Sequence, residues 1–159
     1  LPAARKLETP ASRHVRAAEM PVIEGPGHRV RVMTGESGGV VGAAPPALPF
    51  TLLDISLQSG GGFAHRPEPG DAAWLHAIRG EIEVDVDGTR RRLRGDAALA
   101  VQGAAEIRLT SEDGGQVALL AGAPLREPFV QKGPFAMSDD AQLAAVIAAH
   151  EAGELGSLD

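Results

Sequence analysis

The sequence predicts an all-β fold, an antiparallel sandwich or barrel, with one C-terminal α-helix. Three observations carry that prediction: many short runs of strand-forming residues, glycine-bearing turns between them at similar intervals, and a single late segment with a helical period and a cap at each end.

In chain order, residues 1–28 hold several prolines, scattered charges and no sustained period, and are expected to form an extended N-terminal arm with little structure of its own. The sheet signal begins at residues 28–35, where Val30 and Val32 alternate with Arg29, Arg31 and Met33 as in a half-buried strand. A glycine–proline loop over 38–49 leads to a strand at 50–57, and further runs follow at 73–78, 81–86, 89–93, the A-L-A-V run ending at Val101, 105–110 and 116–121. Asp87–Gly88 is the strongest turn signal, because two central residues with positive φ match the twist of a tight hairpin. Gly80, Gly95, Gly103 and the pair Gly114–Gly115 punctuate the rest. In the late segment 138–153, Ser138 or Asp139 can cap a helix, Gln142 can reach back as the capping-box partner of Asp139, and Gly153 can end it. Leu143, Val146 and Ile147 then share one face, which is expected to dock on the barrel because an alanine-rich helix this short needs a partner.

The bulk properties agree with one folded domain. A chain of 159 residues buries roughly two-thirds of the surface it exposes when unfolded, so one core suffices. With 43% hydrophobic and 23% charged residues it is too apolar for a disordered chain. The net charge of −6 and the splitting of Arg90, Arg91, Arg92 and Arg94 between the two faces of a strand argue against a nucleic-acid surface. The absence of cysteine removes disulfide scaffolds, thiolate metal sites and cysteine nucleophiles. No apolar run approaches the ~20 residues of a membrane span, and the N-terminus lacks a signal-peptide core, so the expected location is cytoplasmic. The chain begins without an initiator methionine, as a processed chain or a piece of something longer would.

Three blocks carry a family resemblance: R-V-M-T-G-E-S-G-G from Arg31, T-L-L-D-I-S-L from Thr51, and L-L-A-G-A-P-L-R-E-P-F-V-Q-K-G-P-F-A-M-S from Leu119. Together they resemble the second half of a pirin, a family built from two cupin barrels (double-stranded β-helix or jelly-roll barrels) in tandem. In pirins the last block has a G-x-P-L-x-E-P core followed by G-P-F-V-M; here Ala136 replaces the valine. The opening L-P-A-A-R-K resembles the segment that leaves the first pirin barrel. The resemblance therefore implies that 1–28 is a former interdomain arm, 29–130 the C-terminal cupin barrel, and 131–159 the helix and tail packing on it.

The cupin pattern can also be laid over the site region. Its second motif fits without a gap: Gly95 opens it, Val101 stands for the proline, Gly103 is kept, Glu106 falls at the histidine and Thr110 at the asparagine. Counted back from Gly80, the first motif puts Ala73 at the glutamate and the two histidines on Arg66 and Glu68, or on Pro67 and Pro69. No imidazole reaches a ligand position, whereas a transition metal in such a barrel is held by imidazole nitrogens. His65, Glu68 and Glu106 are the only weak candidates for a metal. His65 reads as a residue of the loop at the barrel mouth, His76 as a packed or partly exposed strand residue, and Glu81, Glu83, Asp85 and Asp87 as a solvated face.

The resemblance implies that iron or a similar divalent metal sits in the N-terminal barrel, which would precede Leu1, and that some bacterial members oxidise quercetin with dioxygen while the human member acts as a transcriptional co-regulator. For this chain the expectation is a metal-free C-terminal cupin domain of a bacterial pirin-like protein, without a catalytic residue or cofactor of its own, in a structural or partner-binding role. Its expected partners are the missing N-terminal barrel or a second copy in a homodimer. The alternatives are a fragment of a quercetin 2,3-dioxygenase, or a sensor whose emptied barrel takes a small apolar ligand.

Overall fold

The structure is a computed structural model that describes residues 1–9, 11–43 and 48–156. Residues 44–47, within the expected glycine–proline loop, and 157–159 of the expected tail lie outside the described residues. Two compact units are present, one formed by Arg13–Pro124 and one by Leu1–Ser12 with Leu125–Asp159.

The larger unit is an antiparallel barrel of two sheets. Its strands are β1 (Val22–Gly25), β2 (His28–Thr34), β3 (Glu36–Ser37), β4 (Val40–Val41), β5 (Thr51–Leu57), β6 (Gly61–His65), β7 (Ala72–Val86), β8 (Thr89–Arg94), β9 (Ala98–Gln102), β10 (Ile107–Ser111) and β11 (Gly115–Gly122). The first sheet runs β1-β2-β5-β11-β7-β9 and the second β6-β10-β7-β8, while β3 and β4 pair as a small hairpin of their own. The segment read as an extended arm with little structure of its own thus carries β1, paired to β2 from Val22 opposite Arg31 to Gly25 opposite His28.

The two expected runs at 73–78 and 81–86 form one strand. β7 passes from one sheet to the other, its first half between β11 and β9 and its second between β10 and β8. Gly80, expected to break the chain, bends it: it has φ +76°, and a Cβ there would lie 2.5 Å from the Gly114 carbonyl oxygen. A strand that turns a barrel corner needs a residue that accepts this conformation and this approach.

Alternation builds the core. Val30, Val32, Leu53, Ile55, Leu75, Ala77, Ile82, Val84, Ile107, Val117 and Leu119 are fully buried, and each inward residue is flanked by outward ones. Trp74 and Leu75 sort accordingly, Leu75 inside and Trp74 41% exposed. Trp74 stacks on His76, with ring centroids 5.3 Å apart and planes 3° from parallel. The Asp87–Gly88 hairpin is present, both residues at positive φ, with the Gly88 N–H donating to Asp85 Oδ1 at 2.8 Å. It sets Glu81, Glu83 and Asp85 opposite Arg94, Arg92 and Arg90 on an outer face. The acidic run and the basic run are therefore one ladder of exposed cross-strand pairs, with Arg90 3.2 Å from Asp85 and Arg92 3.4 Å from Glu81.

In the smaller unit, β12 (Val130–Lys132) and β13 (Phe135–Met137) form a hairpin against which α1 (Asp140–Glu151) packs. Asp139 caps the helix by accepting from Gln142 N–H at 2.8 Å, while Gln142 Oε1 accepts from Ser138 N–H at 3.3 Å, one residue earlier than a capping box requires. At the far end, Gly153 N–H donates to His150 O and Glu154 N–H to Ala149 O, the paired bonds of a Schellman cap. Leu143 is the buried residue of the helix. Among the described residues no helix is long and apolar enough to cross a membrane.

Candidate functional site

The candidate site is built where β6 ends, where the 103–106 loop enters β10, and where the β3–β4 hairpin folds over. β6 begins at Gly61 and pairs along β10 so that His65 stands opposite Ile107. Opposite residues of an antiparallel pair share a face, and Ile107 is fully buried, so His65 points inward. It is 4% exposed. The reading of His65 as a loop residue at the mouth is thereby corrected: it is the last residue of a strand and part of the interior.

Among the described residues the imidazole has one hydrogen-bond partner. Its Nδ1 lies 3.0 Å from the Oγ of Ser37, which is 4% exposed and sits on β3, while its Nε2 is buried without a partner. Burial holds the His65 pKa below its ordinary value, against a weaker opposing pull from the Asp71 carboxylate, so the ring is neutral at neutral pH. Ser37, in the quoted R-V-M-T-G-E-S-G-G block, had no role assigned from sequence, and no spacing rule links it to a residue 28 positions away.

Beside this pair is an open hollow of about 320 Å³ whose walls include Glu36, Ser37, His65, Arg66, Glu68 and Glu106. The three weak candidates, His65, Glu68 and Glu106, are thus brought to one place. Ala73 lies elsewhere, buried inside the sheet opposite Ala121 and Val101.

A family model for the pirin C-terminal cupin domain matches residues 52–156. The chain belongs to that family. Rat pirin is 25% identical over 144 residues, covering 89% of this chain and 50% of that protein. A Pseudomonas aeruginosa protein, provisionally named a quercetin 2,3-dioxygenase, is 32% identical over 166 residues, covering 98% of this chain and 56% of that protein. The crystal structure of a quercetin 2,3-dioxygenase from Acinetobacter baumannii superposes with a TM-score of 0.88 at 27% identity, covering all of this chain and 55% of the other. The pirin domain here therefore spans about half the length of these relatives.

Of the three candidates for a metal ligand, Glu106 is the one whose contacts bear on the question. Glu106, at the place of a ligand histidine, has both carboxylate oxygens engaged: Arg66 Nε donates to Oε1 at 3.0 Å and Arg108 Nε to Oε2. Arg108 first, and Arg66 after it, hold the Glu106 carboxyl below the usual carboxylate range. A cation would have to displace two guanidinium groups that already neutralise this carboxylate. Glu106 immediately precedes β10, in which Arg108 and Thr110, the residue at the asparagine position, are exposed while Ile107 and Leu109 face the interior. The motif frame thus reaches this strand one residue out of phase with its inner face. Arg66 and Glu68 are exposed, and among the described residues no group of three His, Asp or Glu side chains is arranged to hold a metal ion.

Proposed function

We propose that this domain is the metal-free half of a two-barrel pirin, with a structural and partner-binding role beside a barrel that carries the metal. The observation that carries the reading is Glu106 in the grip of Arg66 and Arg108, where a redox-metal site would need an imidazole. The outer face of the first sheet supports the docking part. Ala100, Trp74, Leu120 and Leu52 stand in register across β9, β7, β11 and β5, and in the next row Ala98, His76 and Ala118 lead to Asp54, which pairs with Arg31 and closes the apolar stretch. An antiparallel sheet with one solvated face carries polar residues there, and a contiguous apolar patch marks an interaction surface. The partner is the metal-bearing barrel, and in its absence a second copy of this chain.

Incubated with Fe(II), Ni(II), Cu(II) or Mn(II) and desalted, the chain is expected to keep far less than one equivalent of metal by elemental analysis and to consume no quercetin. A stoichiometric, tightly held metal, or quercetin oxidation by this chain alone, would sink the reading. In light scattering the same preparation is expected to be a dimer and Trp74→Asp a monomer. A wild-type monomer over a wide concentration range removes the docking part.

A second reading rests on the dioxygenase names of two relatives: the longer protein oxidises quercetin at a site outside this chain, and this domain braces it. It predicts activity in the two-barrel protein that survives Glu106→Ala.

A further inference from the structure

Asp85 and Asp87 flank the same tight turn but divide its work. Asp85 secures the hairpin: its Oδ1 accepts from Gly88 N–H at 2.8 Å and its Oδ2 from Arg90 Nε at 3.2 Å. Asp87 gives the turn its backbone at φ +48°, a conformation that glycine adopts more readily. Among the described residues its carboxylate makes no hydrogen bond within the hairpin. It reaches 18 and 19 residues along the chain instead, where Oδ2 accepts from Ala105 N–H and Oδ1 from Glu106 N–H, each at 3.0 Å. Asp87, read from the sequence as part of a solvated face, is thus a bridge between two loops.

The segment it grips is a strap, residues 103–106, that carries the chain from β9 in the first sheet to β10 in the second. The strap has two anchors at its start. Gly103 N–H donates to the Asp71 carbonyl oxygen at 2.9 Å, and Ala104 is buried with the hydrophobic core. Neither fixes the last two residues, whose N–H groups lie at an exposed position and could bond to water as well. A single ionised carboxylate that takes both removes this freedom, because hydrogen bonds to a charged acceptor are about twice as strong as neutral ones.

The second of those residues is Glu106, whose own carboxylate accepts from Arg66 at 3.0 Å and from Arg108. Arg66 follows the last residue of β6, and Arg108 lies in β10. The backbone held by Asp87 is therefore the backbone that aims Glu106 at the two guanidinium groups. One carboxylate stands behind the orientation of the other.

We propose that Asp87 is the latch of the 103–106 strap and the positioning residue for Glu106: by taking the two N–H groups it sets the exit of the strap into β10 and holds the Glu106 carboxylate between Arg66 and Arg108. Turn and latch are separable roles of one residue, since the first needs only a left-handed backbone and the second only the carboxylate. The latch involves neither a metal nor the docking face, so its test and those above fail separately.

Asp87→Gly separates the two roles. It keeps the left-handed backbone, removes the carboxylate and leaves Asp85 to secure the turn. In the 15N-labelled chain, the amides of Ala105 and Glu106 are expected to exchange with solvent at least about tenfold faster than in the wild type. The Arg66 Nε–H signal should move toward that of a free arginine, while the amides of the β7–β8 ladder keep their rates. Asp87→Asn, which suits the same turn and retains one acceptor oxygen, should lie between the two. Unchanged exchange at Ala105 and Glu106, an unmoved Arg66 signal, or an equal loss of protection along β8 overturns the proposal. So does failure of either variant to fold, which would make Asp87 a support of the barrel instead of a latch.

Discussion

Replacing Leu75 by alanine is expected to lower the unfolding free energy by about 3 kcal/mol or more, while Trp74→Ala next to it lowers it by about 1 kcal/mol or less. Leu75 is fully buried, opposite Leu119 on β11 and Leu99 on β9, so truncation leaves a hole that two hydrogen-bonded strands cannot move to fill. Trp74, one residue away, turns its ring to the outer face and loses only partly solvated area and its stack on His76. Denaturant unfolding measures the pair, with the fluorescence of Trp74, the single tryptophan, reporting on Leu75→Ala and circular dichroism on Trp74→Ala. Equal costs at the two positions would contradict the alternation of β7.

Gly61→Ala is expected to cost about 3 kcal/mol or more, with failure to fold as the extreme outcome, although the change adds one methyl group. That methyl would stand 2.0 Å from the Gly27 carbonyl oxygen and 2.9 Å from the Gln58 oxygen. Neither acceptor can withdraw freely: Gly27 O receives the Gln58 N–H, and Gln58 O receives the N–H of Gly61 itself, both at 2.9 Å. Relief therefore means breaking the junction that aligns the β1–β2 turn with the start of β6, and His65 lies at the other end of that strand. Gly60→Ala is the control. Gly60 has φ +69° but open space around its would-be Cβ, so only the conformational cost of about 1 kcal/mol applies. Similar midpoints for the two variants in denaturant would mean that the close approach at Gly61 is not rigid.

What was legible in the sequence, and what was not, divides along physical lines. Strands with alternating apolar residues, such as β2, β5 and β11, are readable because burial on one face imposes a period of two. Residues 81–93 announce their own hairpin through Asp87–Gly88. Gly80 was misread because a glycine within a strand pattern signals a turn and a corner equally well, and only the neighbouring strands decide. β6 escaped notice since G-G-F-A-H has two glycines and no apolar alternation; β10 holds it as a strand. The site is harder still. The sequence offers His65, Glu68 and Glu106 as candidates, yet the contacts that define them come from Ser37, 28 residues from His65, and from Arg66, 40 residues from Glu106. Such pairs follow from the way the hairpin and the strand ends meet in space, which leaves no mark in local composition.

The path of β7 has a consequence for how this barrel can come apart. One continuous segment makes the ladders to β8, β9, β10 and β11, so every sheet boundary in the barrel passes through it. Neither sheet can open along β7 without stripping partners from the other, and the usual division of a two-sheet protein into separately melting cooperative units is closed to it. Fraying is left to the strands at the sheet ends, β1, β6, β8 and β9, and to the β3–β4 hairpin. The amides of β7 bonded into its ladders with β10 and β11 are expected to be among the slowest of the barrel to exchange with solvent, which hydrogen-exchange measurement checks.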